Sequence, residues 1–234
     1  MAKKIADKYN TRLHIHVSET RKEVEDITAR TGMTPAEYLY SIGLLDRNVT
    51  AAHAVWLTPK ETELFARTGT SIAHCPKSNL KLASGIADTD TYLKAGVNVG
   101  IGTDGSASNN TLDMVEETRF AALLPKGIHY NPEAVNARTA LQMATINGAR
   151  ALGLDHLIGS LEPGKRADLI VIHADASNMI PVYDEYSAIV YAANSKNIRS
   201  SMVNGKWIMR DREVMNINKE RTMNAMRRIT ETTV

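Results

Sequence analysis

Residues 12–18 read RLHIHVS, and residues 19–26 read ETRKEVED. In the first stretch Leu13, Ile15 and Val17 alternate with His14 and His16. That period of two marks a strand with one apolar and one polar face. The second stretch opens a charged helical run from Glu19 to about Arg30. A strand leading straight into a helix is half of a βαβ unit, so the fold depends on whether the pattern repeats.

It repeats downstream. Thr34-Pro35-Ala36-Glu37 places Thr34 at an N-cap and Pro35 at the first helical position of a helix reaching about Gly43. Thr50–Val55 (TAAHAV) is the next strand, and Thr58-Pro59-Lys60-Glu61 starts another capped helix to about Arg67. Ser71–Cys75 (SIAHC) is a third strand. The polar stretch 76–85, PKSNLKLASG, reads as a loop before a helix near Ala87–Ala95. Val97–Ile101 (VNVGI) is the fourth strand and ends in Gly102-Thr103-Asp104-Gly105. Helices then dominate from about Leu112 to Leu152, and residues 1–10 read as the end of an earlier helix. Strands alternating with helices predict a parallel sheet with right-handed crossovers.

The texture changes after about Ile158. Gly159–Gly164 (GSLEPG) is turn-rich, and Ala167–His173 (ADLIVIH) is strongly β-forming. Ile189–Ala192 and Met202–Met209 read as further strands, the latter turning at Asn204-Gly205. Asn218 to about Thr230 is a polar helix. The expected organisation is a βα-repeat unit over 1–157, a β-rich segment over 158–217 and a terminal helix over 218–234.

Composition narrows the function classes. The chain has 234 residues, 43% of them hydrophobic, and a formal net charge of +2. That is ordinary globular composition, which excludes wholesale disorder. No basic run or basic-aromatic stripe points to nucleic acid. A lone cysteine, Cys75, excludes an internal disulfide framework and suits a reducing compartment. The polar start MAKKIADKYN does not read as a signal peptide, and no apolar run predicts a membrane span. A cytoplasmic location is therefore expected.

In parallel α/β sheets the chemistry sits at the C-terminal ends of the strands. His16, Glu19, His53, His74 and Asp104 all fall there. A strand-end histidine offers imidazole to a transition metal, and a carboxylate three residues on can serve as a proton carrier beside it. Each residue also has a plainer reading. His16 and His53 suit hydrogen-bonded core histidines, Glu19 a carboxylate at a helix N-terminus, and Asp104 a turn or helix cap. His74 and Cys75 are adjacent and point to opposite faces, so they would not share an ion. His74 is expected to shape a loop or line a substrate pocket, and Cys75 to pack. Two histidines and an aspartate at the ends of separate strands together form an arrangement for hydrolysis by a metal-activated water.

The segments HIHVSETRKEVED, AAHAVWL, SIAHCPKSNLKLASGIA, GVNVGIGTDGSASNN and GSLEPGKRADLIVI closely resemble the amidohydrolase superfamily, in particular its 5'-methylthioadenosine/S-adenosylhomocysteine and 5'-deoxyadenosine deaminases. The resemblance runs in order along essentially the whole chain. It implies a TIM-type (β/α)8 barrel, with His16 as the metal-binding histidine of strand five and Glu19 as the proton carrier beside it. His53 would be the strand-six histidine that orients the attacking water. Asp104 would be the strand-eight aspartate that binds the metal and accepts the water's proton. Glu19, His53 and Asp104 would thereby also contact substrate. Ser160–Ile172 resembles the small β-sandwich after the barrel. The implied reaction is hydrolytic deamination of a 5'-modified adenosine to an inosine-type product and ammonia. The implied cofactor is one divalent metal, most often zinc, and the implied assembly is a homo-oligomer.

The family's barrel opens with an HxH pair on strand one, and His14-Ile15-His16 has that form. Spacing argues otherwise: 88 residues separate His16 from Asp104, with only two further strands between them. A first-to-eighth span needs six. His14 is therefore read as an inward barrel residue and His16 as the ligand. On this reading the chain is the C-terminal half of the barrel, strands five to eight, plus part of the sandwich. The N-terminal half with the HxH ligands would lie elsewhere, and the chain alone would be a weak metal binder without deaminase activity. Two other readings remain open: an amidohydrolase acting on a guanine- or triazine-type ring amine, and a non-catalytic half-barrel subunit.

Overall fold

The computed structural model describes residues 1–233. A short helix, α1 (Ala2–Lys8), leads into β1 (Leu13–Val17), and α2 (Arg21–Thr31) and α3 (Pro35–Ser41) carry the chain to β2 (Val49–His53). Then follow α4 (Pro59–Thr68), β3 (Ser71–His74), α5 (Pro76–Lys81), α6 (Thr89–Lys94) and β4 (Val99–Ile101). The four strands form one parallel sheet in the order β1-β2-β3-β4, as the alternation predicts. β1 and β4 are its edges, and neither pairs with a further strand among the described residues.

Local chemistry explains the helix starts. Thr34 and Thr58 each accept from the backbone N–H three residues on, while Glu37 and Glu61 reach back to the threonine N–H. Both capping boxes sit ahead of a proline whose missing N–H costs nothing at that position.

Register sorts the two faces of the sheet. Ile15, Ala51, Ile72 and Val99 lie in one row, and Phe65 of α4 and Tyr92 of α6 belong to the same buried cluster. Each large apolar side chain buried there contributes about 1.5–3 kcal/mol. The opposite face carries His14, His16, Thr50, Ala52, Ser71, Ala73 and Gly100. Its residues on β2 to β4 are small, and helix α10 (Ile146–Leu152) packs there towards the strand N-termini. Thr50 Oγ1 donates to Ala151 O at 2.7 Å, and a Cβ on Gly100 would lie 2.9 Å from Gly148 Cα. His14 and His16 remain exposed on this face.

Beyond β4, α7 (Ser106–Asn109), α8 (Met114–His129) and α9 (Ala137–Met143) lead to α10. A second, antiparallel sheet follows, made of β5 (Leu169–Ile172), β6 (Ile198–Val203), β7 (Lys206–Arg210) and β8 (Glu213–Val214) in that order. Asn204 and Gly205 take φ of 50° and 75° between β6 and β7, the left-handed pair that a two-residue hairpin needs. The last helix, α12, spans Lys219–Thr233. No helix among the described residues is long and apolar enough to cross a membrane.

Two expectations need correction. Residues 76–81 are not loop but helix α5, with Pro76 at its first position. Ile189–Ala192 is not a strand. Helix α11 (Glu185–Ser187), capped by Asp184, runs straight into a π-helical turn over Ala188–Ala192. Arg119 of α8 donates to the carbonyls of Val190 and Ala193, fixing this turn against α8 and burying Val190. A short apolar run does not by itself distinguish strand from buried helix, and packing decides it.

Candidate metal centre at the strand ends

The strand termini bring together the residues that the sequence singles out. His16 is the penultimate residue of β1 and His53 the last of β2. Asp104 lies three residues past β4, and Glu19 two past β1. One ligand atom from each of His16, His53 and Asp104 lies within 4.8 Å of the others. The two imidazoles stack, with centroids 5.2 Å apart and planes 17° from parallel. Glu19 Oε2 stands 3.8 Å from His53 Nε2. His74, the last residue of β3, is buried beside them, and His14 flanks His16.

The backbone at these junctions is strained. Ser18, His53, Ala54 and Asp104 take φ of 51°, 68°, 48° and 59°. Left-handed backbone costs a residue with a Cβ about 1–2 kcal/mol. Hydrogen bonds beyond the strands hold it: Ala54 N–H donates to Val17 O at 3.1 Å, Trp56 N–H to Ser18 O at 3.0 Å and Gly102 N–H to His74 O at 2.9 Å. Strain of this kind persists where the surroundings over-determine it, as they do at binding sites. At Glu19 the Glu23 carboxylate accepts from the N–H groups of Ser18 and Glu19 at 2.8 and 2.7 Å, tying the junction to α2.

Charge at the site follows from its partners. Burial raises the Asp104 carboxyl, but hydrogen bonds from Ser108, Ser78 and the Gly105 N–H, with His53 nearby, outweigh it and hold the pKa at about 2. Ser78 and Ser108 both donate to Oδ2, at 2.7 and 2.6 Å. Asp104 is thus an anion at neutral pH. Burial, and then the neighbouring His53, press His74 down to about 3, so it is neutral. Partial desolvation, and then His16 and His53, lower the His14 pKa. Burial, then the Asp104 and Glu117 carboxylates, push the Cys75 thiol up to about 12, so it packs as a thiol.

The donor set fits a divalent transition metal. It offers two imidazoles and one ionised carboxylate, and neutral histidine and carboxylate are ligands such ions accept. His53, assigned from the sequence to water orientation, also lies within ligand reach here. The residues missed by sequence reasoning are Ser78, Asn79, Ser84 and Ser108. Three of them belong to the stretch 76–85 taken as loop, and their hydroxyl and amide groups carry no periodic signal.

Fold and site together define a class: a parallel α/β protein with a metal-ligand set at its strand ends. More narrowly, the chain belongs to the amidohydrolase family, whose model matches residues 1–208. It is 53% identical over 208 residues to a 5-methylthioadenosine/S-adenosylhomocysteine deaminase of Moorella thermoacetica, covering 89% of this chain and 49% of that protein. It is 45% identical over 228 residues to a 5'-deoxyadenosine deaminase of Methanobrevibacter smithii, covering 97% of this chain and 52% of that protein. The crystal structure of an adenosine deaminase from Xanthomonas campestris with bound zinc superposes with a TM-score of 0.95 at 39% identity, covering 99% of this chain and 53% of the other. The chain thus spans about half the length of the curated relatives it matches.

Proposed function

We propose that this chain supplies the strand-five-to-eight half, and part of the following β-sandwich, of a metal-dependent deaminase acting on 5'-modified adenosines. The carrying observation is the convergence of His16, His53 and Asp104 within 4.8 Å, with Glu19 at their edge. The order of the parallel strands and the names of the relatives support it.

His16 and Asp104 would hold the metal, with His53 in reach. A bound divalent ion such as zinc acidifies a water toward a pKa of roughly 7. Asp104, ionised at neutral pH, receives the attacking water's proton. His53 orients the attacking oxygen towards C6 of the adenine ring. Glu19 delivers a proton to ring N1, which keeps charge from building on the purine. Asp104 then passes its proton to the C6 amino group and the C6 hydroxyl proton returns to Glu19, so that the C–N bond breaks, ammonia leaves and the inosine-type carbonyl forms. The reaction divides proton acceptance and proton delivery between two carboxylates, Asp104 and Glu19.

An HxH-bearing half-barrel on a separate segment would complete the ligand set, and the full-length form would be a homo-oligomer. The parallel sheet's two edges are where such a segment would pair. The test is ammonia release from 5'-methylthioadenosine, S-adenosylhomocysteine and 5'-deoxyadenosine, with guanine and a triazine as comparators. The chain alone is expected to release none. Mixed with a half carrying strands one to four, it is expected to deaminate the adenosines. Turnover of guanine or triazine instead would transfer the reading to another ring amine. Turnover by the isolated chain would end the half-site account.

A further inference from the structure

Helix α5 and the turn after it touch three of the proposed catalytic side chains at once. Ser78 Oγ donates to Asp104 Oδ2 at 2.7 Å, Asn79 Oδ1 lies 2.8 Å from His53 Nδ1, and Ser84 Oγ lies 3.3 Å from Glu19 Oε1. The turn is itself held in place. Trp56 Nε1 donates to Ser84 O at 2.7 Å, and Gly85 takes φ of 125° with room for no Cβ against Trp56 and Val55. Ser78 and Asn79 are buried. One short segment therefore bridges groups from the ends of β1, β2 and β4.

Asn79 has the most specific task within it. A neutral imidazole carries one proton, and whatever one nitrogen bonds decides what the other can do. With Asn79 Oδ1 as the acceptor, the His53 proton sits on Nδ1. Nε2 then presents a lone pair to the cluster of His16, Asp104 and Glu19. We infer that Asn79 is a positioning residue: it fixes His53 as the Nδ1–H tautomer so that Nε2 is the atom available to the metal centre. The inference deepens the proposed function and rests on it for the use made of Nε2. The hydrogen bond and the tautomer stand apart from that use. Asn79 Nδ2 is buried with no partner among the described residues, so the contact between Oδ1 and His53 Nδ1 alone sets the orientation of the amide, and the tautomer measurement tests it directly. Partners of this kind typically change metal affinity about 10–100-fold when removed.

The tautomer can be read directly. The full chain, labelled with nitrogen-15 histidine and free of metal, is examined by long-range proton–nitrogen correlation, which separates Nδ1–H, Nε2–H and imidazolium. The wild type is expected to show His53 as Nδ1–H at pH 8. Asn79→Ala is expected to shift it substantially to Nε2–H and to weaken zinc binding about 10–100-fold, with an unchanged far-UV circular dichroism spectrum. Asn79→Asp, which keeps an acceptor at the same place, is expected to restore Nδ1–H. If Asn79→Ala unfolds, the wild-type and Asn79→Asp spectra still decide the matter. His53 as Nε2–H in the wild type, or an unchanged tautomer in a folded Asn79→Ala, would overturn the inference. The predicted tautomer in a chain with no saturable zinc binding would uphold Asn79's role and count against the proposed function instead.

Discussion

At the scale of single residues, the site balances strained backbone against dense hydrogen bonding. Asp104 combines left-handed φ with two serine hydroxyls on one carboxylate oxygen. Removing either hydroxyl takes away a charge-assisted hydrogen bond, each worth about 1.5–3 kcal/mol in favourable cases. Ser78→Ala and Ser108→Ala are each expected to raise the Asp104 pKa from about 2, which titration by carboxyl carbon-13 shifts would detect. His74 gives a separate prediction for stability. Its folded pKa is about 3 against an ordinary 6.5. Between those values the unfolded chain binds a proton that the folded chain refuses. Stability therefore rises with pH across that window, by at most about 1.4 kcal/mol per pH unit, and gains nothing further from this group above it. Urea unfolding of His74→Gln from pH 4 to 7 is expected to show a shallower rise than the wild type. Identical slopes would show that burial of His74 does not govern the acid limb.

At the scale of elements, what the sequence discloses depends on whether the signal is local. The strand β1 and the caps of α3 and α4 are recoverable because alternation, Thr-Pro pairs and a glutamate at the third helical position are written in neighbouring residues, and β2 to β4 because short apolar runs fall between those helices. His16, Glu19, His53 and Asp104 are recoverable because strand ends concentrate polar residues. Helix α5 is not, since its buried polar side chains are explained by distant partners, His53 at the end of β2 for Asn79 and Asp104 beyond β4 for Ser78. The turn at Ala188–Ala192 is misread because Ile189–Ala192 (IVYA) suits a strand until Arg119 of α8 is placed on the carbonyls of Val190 and Ala193. Two element-level outcomes follow. Thr58→Ala removes a capping box whose Glu61 is buried, and is expected to cost about 1–2 kcal/mol in denaturant unfolding. Gly100→Ala would place a methyl 2.9 Å from the α10 backbone and is expected to cost about 1–3 kcal/mol. A neutral result at Gly100 would mean that α10 yields freely to the sheet.

At the scale of the whole molecule, a four-stranded parallel sheet with two edges brings His16, His53 and Asp104 together at its strand ends. Its apolar row faces α4, α6 and α8, while His14 and His16 on the other face of β1 are exposed. The long span between His16 and Asp104, with only two strands inside it, already separates this chain from a barrel read from its first strand. The central claim is that His16 and Asp104 hold one metal ion at the strand ends, with His53 beside it. Zinc titration of the isolated chain by calorimetry, beside its Asp104→Asn and His16→Ala variants, tests it most directly. The account predicts weak, saturable binding of one ion per chain, reduced at least about 100-fold in either variant, beyond what losing an outer partner costs. Binding that is unchanged in both variants would contradict it.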